Sequence, residues 1–214
     1  MNITELVGAV RRTILHTLSD TFDIPGFGEL KKEEIIINPH KTAKLADILK
    51  TYIEFVPRDI AEEDPAWKQI IPYIVVTNDH QVFTTHRLKK SSESRLHGTI
   101  SLGLGGHINL CDKYDSIHPN PIWAAMWREL DEEVRISHRG LAPYPIGVVS
   151  HDDTPLGQVH LGILFRLHFS DPNVQVQVRE TNKLRGEFKP WNELTTTRLE
   201  RWAELIYEER KNFT

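Results

Sequence analysis

The chain has 214 residues, 39% of them hydrophobic and 26% charged, enough to bury a full core as one domain or as one domain with an extension. A formal charge of −4 at neutral pH excludes the strongly basic class of nucleic-acid binders held by phosphate contacts, although a local basic patch can still hold a small phosphorylated ligand. The single cysteine, Cys111, excludes an internal disulfide framework and a thiolate zinc cluster, and the longest apolar run, residues 70–76, is too short to span a bilayer.

Taken in order, the chain starts without a signal-peptide pattern, because Glu5, Arg11 and Arg12 interrupt the first apolar residues; a cytoplasmic protein is expected. Leu6, Val7, Val10, Ile14, Leu15 and Leu18 recur at helical spacing and predict an amphipathic helix over residues 3–19. DIPGFG at 23–28 breaks it. A second helical pattern covers residues 41–55, with Leu45, Ile48, Leu49, Tyr52 and Ile53 on one side, and a charged connector follows at 58–64. Residues 1–65 are therefore expected to form an N-terminal helical extension. It would pack on the main domain, join two copies as a homodimer, or wall off a substrate.

From Gln69 the hydrophobic period changes to two. Residues 71–77, a polar turn at Asn78-Asp79-His80, and residues 82–85 read as a β-hairpin. Residues 86–97 (HRLKKSSESRLH) form a basic connector. Its cations read either as a solvated loop or, for Arg87 and Arg95 above all, as clamps for substrate phosphates. Residues 99–104 predict a strand that delivers Gly105-Gly106. Asn120 suits a helix N-cap and Pro121 the first helical position, so a helix is expected from there toward Gly140, with Trp123, Trp127, Leu130 and Val134 as its buried stripe. Beyond it, strands are expected at 146–150, 159–169 and 174–178, and a last helix at 196–209. His151, Asp152 and Asp153 read as metal ligands or, equally well, as Asx-rich turn residues.

The helix from Pro121 carries the chemistry. At about 100° per residue, Glu129, Glu132 and Glu133 share one arc of roughly 100°. Three carboxylates so close repel one another unless a cation neutralises them, and oxygen ligands at i, i+3 and i+4 suit a hard divalent ion such as Mg²⁺. A plain solvated helix also carries such glutamates. The glycine pair adds backbone that can approach an ion or a phosphate, because no side chain obstructs it.

A strand, a Gly-Gly turn, a loop and an Arg-Glu-Leu-X-Glu-Glu helix together resemble the box of the Nudix hydrolase superfamily, the MutT-like enzymes. Gly106 fits the box glycine, Asp112 stands where the family has Glu, and Arg128, Glu129, Leu130, Glu132, Glu133 and Ile136 fit the second half without a gap. Two departures stand out: fifteen residues (113–127) separate Asp112 from Arg128 where the pattern has seven, and Arg135 replaces the late glycine. The flanks agree too, with a hairpin ending in Arg87 before the glycines and Trp191-Asn192-Glu193-Leu194 after Glu187. The segment 55–106, with KQIIPY and GLGGHIN, resembles a bacterial subgroup known only as predicted Nudix-type phosphoesterases.

The resemblance implies an α+β fold (an α/β/α sandwich), with a Nudix-like mixed sheet between helices over residues 66–214. It implies Mg²⁺-dependent, or Mn²⁺-dependent, cleavage of a phosphoanhydride in a nucleoside diphosphate linked to another moiety. Metal ligands would come from Glu129, Glu132, Glu133, the Gly106 backbone and an acidic residue such as Glu187, with Glu180 the second choice. Glu129 and Glu132 would be catalytic together with Arg128, which would orient a carboxylate. Gly105, Gly106, Arg87 and Arg95 would line the substrate. The partner is a small nucleotide derivative, with neither nucleic acid nor membrane. A non-catalytic nucleotide-binding module on the same fold is the alternative.

Overall fold

The computed structural model describes residues 4–28, 34–88, 99–137, 142–171, 173–182 and 184–213. Its strands are β1 (Leu6–Arg11), β2 (Ile35–Ile37), β3 (Glu54–Pro57), β4 (Trp67–Asn78), β5 (Gln81–Arg87), β6 (Ile100–Ser101), β7 (Leu104–Gly105), β8 (Val134–Ile136), β9 (Tyr144–Val149), β10 (His160–Phe169), β11 (Val176–Val178) and β12 (Leu184–Pro190). Its helices are α1 (Arg12–Phe22), α2 (Pro39–Leu49), α3 (Arg58–Glu63), α4 (Pro121–Glu133), α5 (Pro155–Gln158) and α6 (Arg201–Glu208). Among the described residues this is an α+β fold with six α-helices and a large mixed sheet of ten strands, beside the two-stranded pair β8 and β11. The class agrees with the expectation.

By packing the chain divides into two units: Met1–Tyr73 with Gly106–Arg128 and Pro145–Leu164, and Ile74–Gly105 with Glu129–Tyr144 and Phe165–Thr214. In the first, the chain opens on a strand where a helix over 3–19 was expected. β1 pairs antiparallel with β3, from Leu6↔Pro57 to Ala9↔Glu54, and with the start of β4 through Ala9↔Gln69 and Arg11↔Trp67. Partners on both sides bury Val7, Ala9 and Val10 together, so a short apolar run that fits a helical period becomes an interior strand. Gly8 is required there: a Cβ would stand 2.9 Å from the Ile108 Cβ. The helix starts only at Arg12.

The second expected helix is shorter than 41–55. Asn38 caps α2 by accepting a hydrogen bond from the Lys41 N–H at 3.1 Å, and Pro39 sits at its first turn. Residues 54–57 leave the helical pattern because they pair with β1. The charged connector at 58–64 closes into the short helix α3. β2 pairs with β9 through Ile35↔Val149 to Ile37↔Gly147.

In the second unit the hairpin stands as expected, with Thr77↔Val82 beside the turn and the Asn78 side-chain oxygen accepting from the Gln81 N–H at 2.9 Å. β12 zips along all of β5, from Leu184↔Arg87 to Pro190↔Gln81. The strand expected at 99–104 is two short pieces, β6 and β7, the first paired with β5. The last helix, α6, is shorter than 196–209, because residues 196–198 form a 3-10 turn before it.

The helix α4 begins where the sequence places it: the Asn120 side-chain oxygen accepts from the Ile122 N–H at 3.0 Å, and Pro121 is its first residue. Its buried stripe differs. Ile122, Ala125, Met126 and Leu130 are buried, whereas Trp123 and Trp127 are half-buried. Nor does the helix run on toward Gly140, which lies outside the described residues. It ends at Glu133, and Val134 and Ile136 pair with Val178 and Val176 of β11, while the Arg179 N–H caps the Glu133 carbonyl at 2.8 Å.

Candidate active site

Gly105 ends β7 with φ of 155°, a backbone conformation that side chains disfavour. In the first unit, residues 107–112 form a strap held at several points. The His107 carbonyl accepts from Arg128 Nη2 at 2.8 Å, and the Ile108 carbonyl accepts from the Gly8 N–H at 2.7 Å. The Asn109 N–H donates to Asp112 Oδ2 at 2.7 Å.

Asp112 is buried, and its carboxylate receives the Arg128 guanidinium in a two-point pair: Nε to Oδ1 and Nη2 to Oδ2, each 2.9 Å. This is the planar fork that arginine forms and lysine cannot. Arg128→Lys is therefore expected to lower folding stability by about 2 kcal/mol, read as a lower urea midpoint at unchanged m. An unchanged midpoint would show that the pair contributes nothing.

A second polar cluster in the same unit was not foreseen. Lys68, on β4, is fully buried, and its ammonium donates to Asp152 Oδ1 (2.7 Å), Ser150 Oγ (3.0 Å), the Gly157 carbonyl (2.8 Å) and the His160 carbonyl (3.1 Å). Arg12 donates to the other Asp152 oxygen at 2.7 Å and to the Gln158 carbonyl at 2.7 Å. Burial pulls the Lys68 pKa down to about 8, against the opposing pull of Asp152. Hydrogen bonds from Arg12 and Lys68 outweigh burial at Asp152 and hold its pKa below the ordinary carboxylate value. Asp152 thus acts as the counter-charge of a buried lysine.

The His107 and His160 rings meet edge to face, with Nε2 atoms 3.5 Å apart. Burial, with Arg58 and Arg128 adding positive charge, lowers the His107 pKa to about 3, and burial also lowers that of His160. The sequence carried one signal for this pair: a histidine directly after the two glycines.

The predicted carboxylate ligands lie in the second unit, and Gly106 in the first. Glu129 and Glu133 are half-buried and Glu132 is exposed, at i, i+3 and i+4 of one continuous helix. Among the described residues, no three His, Cys, Asp or Glu side chains converge as a metal-holding group. Donor type and spacing suit a hard divalent cation. Glu187 sits in mid-β12 opposite Thr84, 3.1 Å from Lys189 Nζ and 3.7 Å from His86 Nε2. Glu180 is exposed just after β11. Arg87 ends β5, its side chain outside the described residues, as is all of Arg95. Cys111 is a free, exposed thiol.

No protein-family model matches the chain. It is 36% identical over 169 residues to Protein YmaB of Bacillus subtilis (strain 168), an alignment covering 77% of this chain and 81% of that protein. The crystal structure of Tm1382, described as a candidate Nudix hydrolase, superposes with a TM-score of 0.72 at 26% identity, covering 98% of this chain and all of that one. The chain belongs to the Nudix superfamily. It is a Nudix-type hydrolase. A more distant Nudix-fold likeness is a bifunctional NMN adenylyltransferase/ADP ribose pyrophosphatase from Francisella tularensis, complexed with AMP and Mn ion. It has a TM-score of 0.51 at 13% identity and covers 92% of this chain and 52% of that one, which speaks to the fold alone. Among the described residues, no helix is long and apolar enough to cross a membrane.

Proposed function

We propose that this Nudix chain is a cytoplasmic pyrophosphohydrolase that cleaves the phosphoanhydride of a nucleoside diphosphate linked to another group, with Mg²⁺ or Mn²⁺. The observation that supports this most is the carboxylate face of α4, Glu129, Glu132 and Glu133 at i, i+3 and i+4, in a chain where Gly105 ends β7 and Gly106 follows.

Glu132 and Glu133 would hold the cation, with the Gly106 carbonyl and Glu187 as further ligands. Once bound, a divalent ion screens the phosphate charges and makes an attacking water more acidic. Glu129 would be a further ligand or would take the proton from that water. Arg128 fixes the strap through Asp112, and Arg87 and Arg95 would bind phosphate oxygens beside Gly105. Residues 1–65 would serve as an extension of this hydrolase, with a homodimer as one use for them.

The test is a phosphate-release screen with Mg²⁺ or Mn²⁺ over ADP-ribose, dinucleoside polyphosphates, nucleotide sugars and oxidised nucleoside triphosphates, with phosphatase added to reveal monoester products. Glu132→Gln is expected to lower turnover of the best substrate by on the order of 10²-fold or more. Full turnover in that variant would sink the assignment. Tight nucleotide binding without turnover would replace it by a binding module.

A further inference from the structure

The His107–His160 contact assigns its own protons. His160 Nδ1 lies 2.7 Å from the Leu156 carbonyl, which can only accept, so Nδ1 carries the hydrogen. In the neutral ring Nε2 then presents a lone pair, and it faces His107 Nε2 at 3.5 Å. Two lone pairs would repel across that gap, so His107 holds its proton on Nε2 and donates. The other arrangement, a doubly protonated His160, would bury a further cation, and burial with Lys68 and Arg58 outweighs the pull of the Glu62 carboxylate.

His160 is fixed at both ends. Leu156 holds its ring, and Lys68 holds its backbone carbonyl, with Asp152 and Arg12 behind Lys68. His107 opens the strap that continues through Ile108, held by Gly8, to Asp112, held by Arg128. The ring contact ties this strap to β10, beside the ties made by its backbone, by the buried Ile108 side chain and by Asp112.

We propose that His160 is a positioning residue for the hydrolase site: it fixes the His107 ring as an Nε2–H donor and so holds the strap that follows the glycine pair. The proposal rests on the pyrophosphohydrolase reading for its kinetic arm only. Buried groups that orient catalytic elements through one further residue are typically worth about 10–100-fold.

The test compares the parent protein with His160→Phe, which keeps a ring without an acceptor, and His160→Gln, whose amide oxygen restores one. Ring-nitrogen NMR at pH 7 is expected to show His160 in the Nδ1–H form and His107 in the Nε2–H form. In His160→Phe the His107 signals should move to a mixture of both forms. With Mn²⁺ and ADP-ribose, kcat should fall about 10–100-fold while KM stays within about threefold, and His160→Gln should recover most of it. A parent His160 in the Nε2–H form overturns the proposal, as does His160→Phe with parental His107 signals and parental kcat. Should the parent protein leave ADP-ribose intact, the ring spectra alone decide this proposal, and the failure counts against the substrate reading.

Discussion

Asp152→Asn should destabilise the protein more than Lys68→Met does, by about 3 kcal/mol against about 1–2 kcal/mol, although both remove the same ion pair. The asymmetry comes from what each leaves behind. Without Asp152, a fully buried ammonium keeps only neutral acceptors: Ser150 Oγ and the Gly157 and His160 carbonyls. Without Lys68, Asp152 still has Arg12 at 2.7 Å, and 39% of its side chain is open to water. The double variant should be little worse than Lys68→Met alone, a coupling of about 2.5 kcal/mol in a double-mutant cycle.

The lysine also sets a sign. Its folded pKa of about 8 lies below its ordinary 10.5, so between those values the unfolded chain holds more protons and stability rises with pH. Loss of Asp152 pushes the folded value lower still and widens that window. Urea midpoints at pH 7 and pH 10 should therefore converge for Asp152→Asn and the parent. A gap that stays constant would show that Lys68 is not the orphaned charge.

The second large effect is on the acid side. His107 has a folded pKa of about 3, against 6.5 in an open chain. Below pH 6.5 the unfolded chain takes up a proton that the folded one refuses, so stability falls steadily down to about pH 3, by roughly 4 kcal/mol over the whole window. His160, lowered as well, adds to the same limb. His107→Gln removes one titrating ring while its amide can still donate to His160. Its unfolding free energy should lose less than the parent's between pH 7 and pH 4. Equal slopes in the two proteins would assign the acid sensitivity elsewhere.

The parts of this fold that were legible from sequence are those whose causes are local. The Asn120-Pro121 start of α4 and the Asn78 turn each follow from neighbours within three residues. What escaped depends on distant partners. Residues 6–11 fit a helical period, yet β3 and β4 claim them as a strand. Val134-Arg135-Ile136 read as further helix until β11, forty residues on, pairs with them. Of the candidate site, the carboxylate helix and the glycine pair were visible as spacing. Lys68 was not, because it stands before the apolar run at 70–76 like an ordinary surface lysine, and its counter-charge Asp152 lies in a turn that looked like ordinary Asx chemistry.

β1 also dictates an order of events during synthesis. Leu6–Arg11 is made about a hundred residues before its partner, since Gly8 donates to Ile108 and Val7 bridges to Asn109. At the usual pace of elongation, roughly 5–20 s pass before that partner emerges. For that interval an apolar strand has no final neighbour on that flank, and its long-range closure comes late in folding. A segment that waits this long for its partner is a natural place for a chaperone to hold the nascent chain.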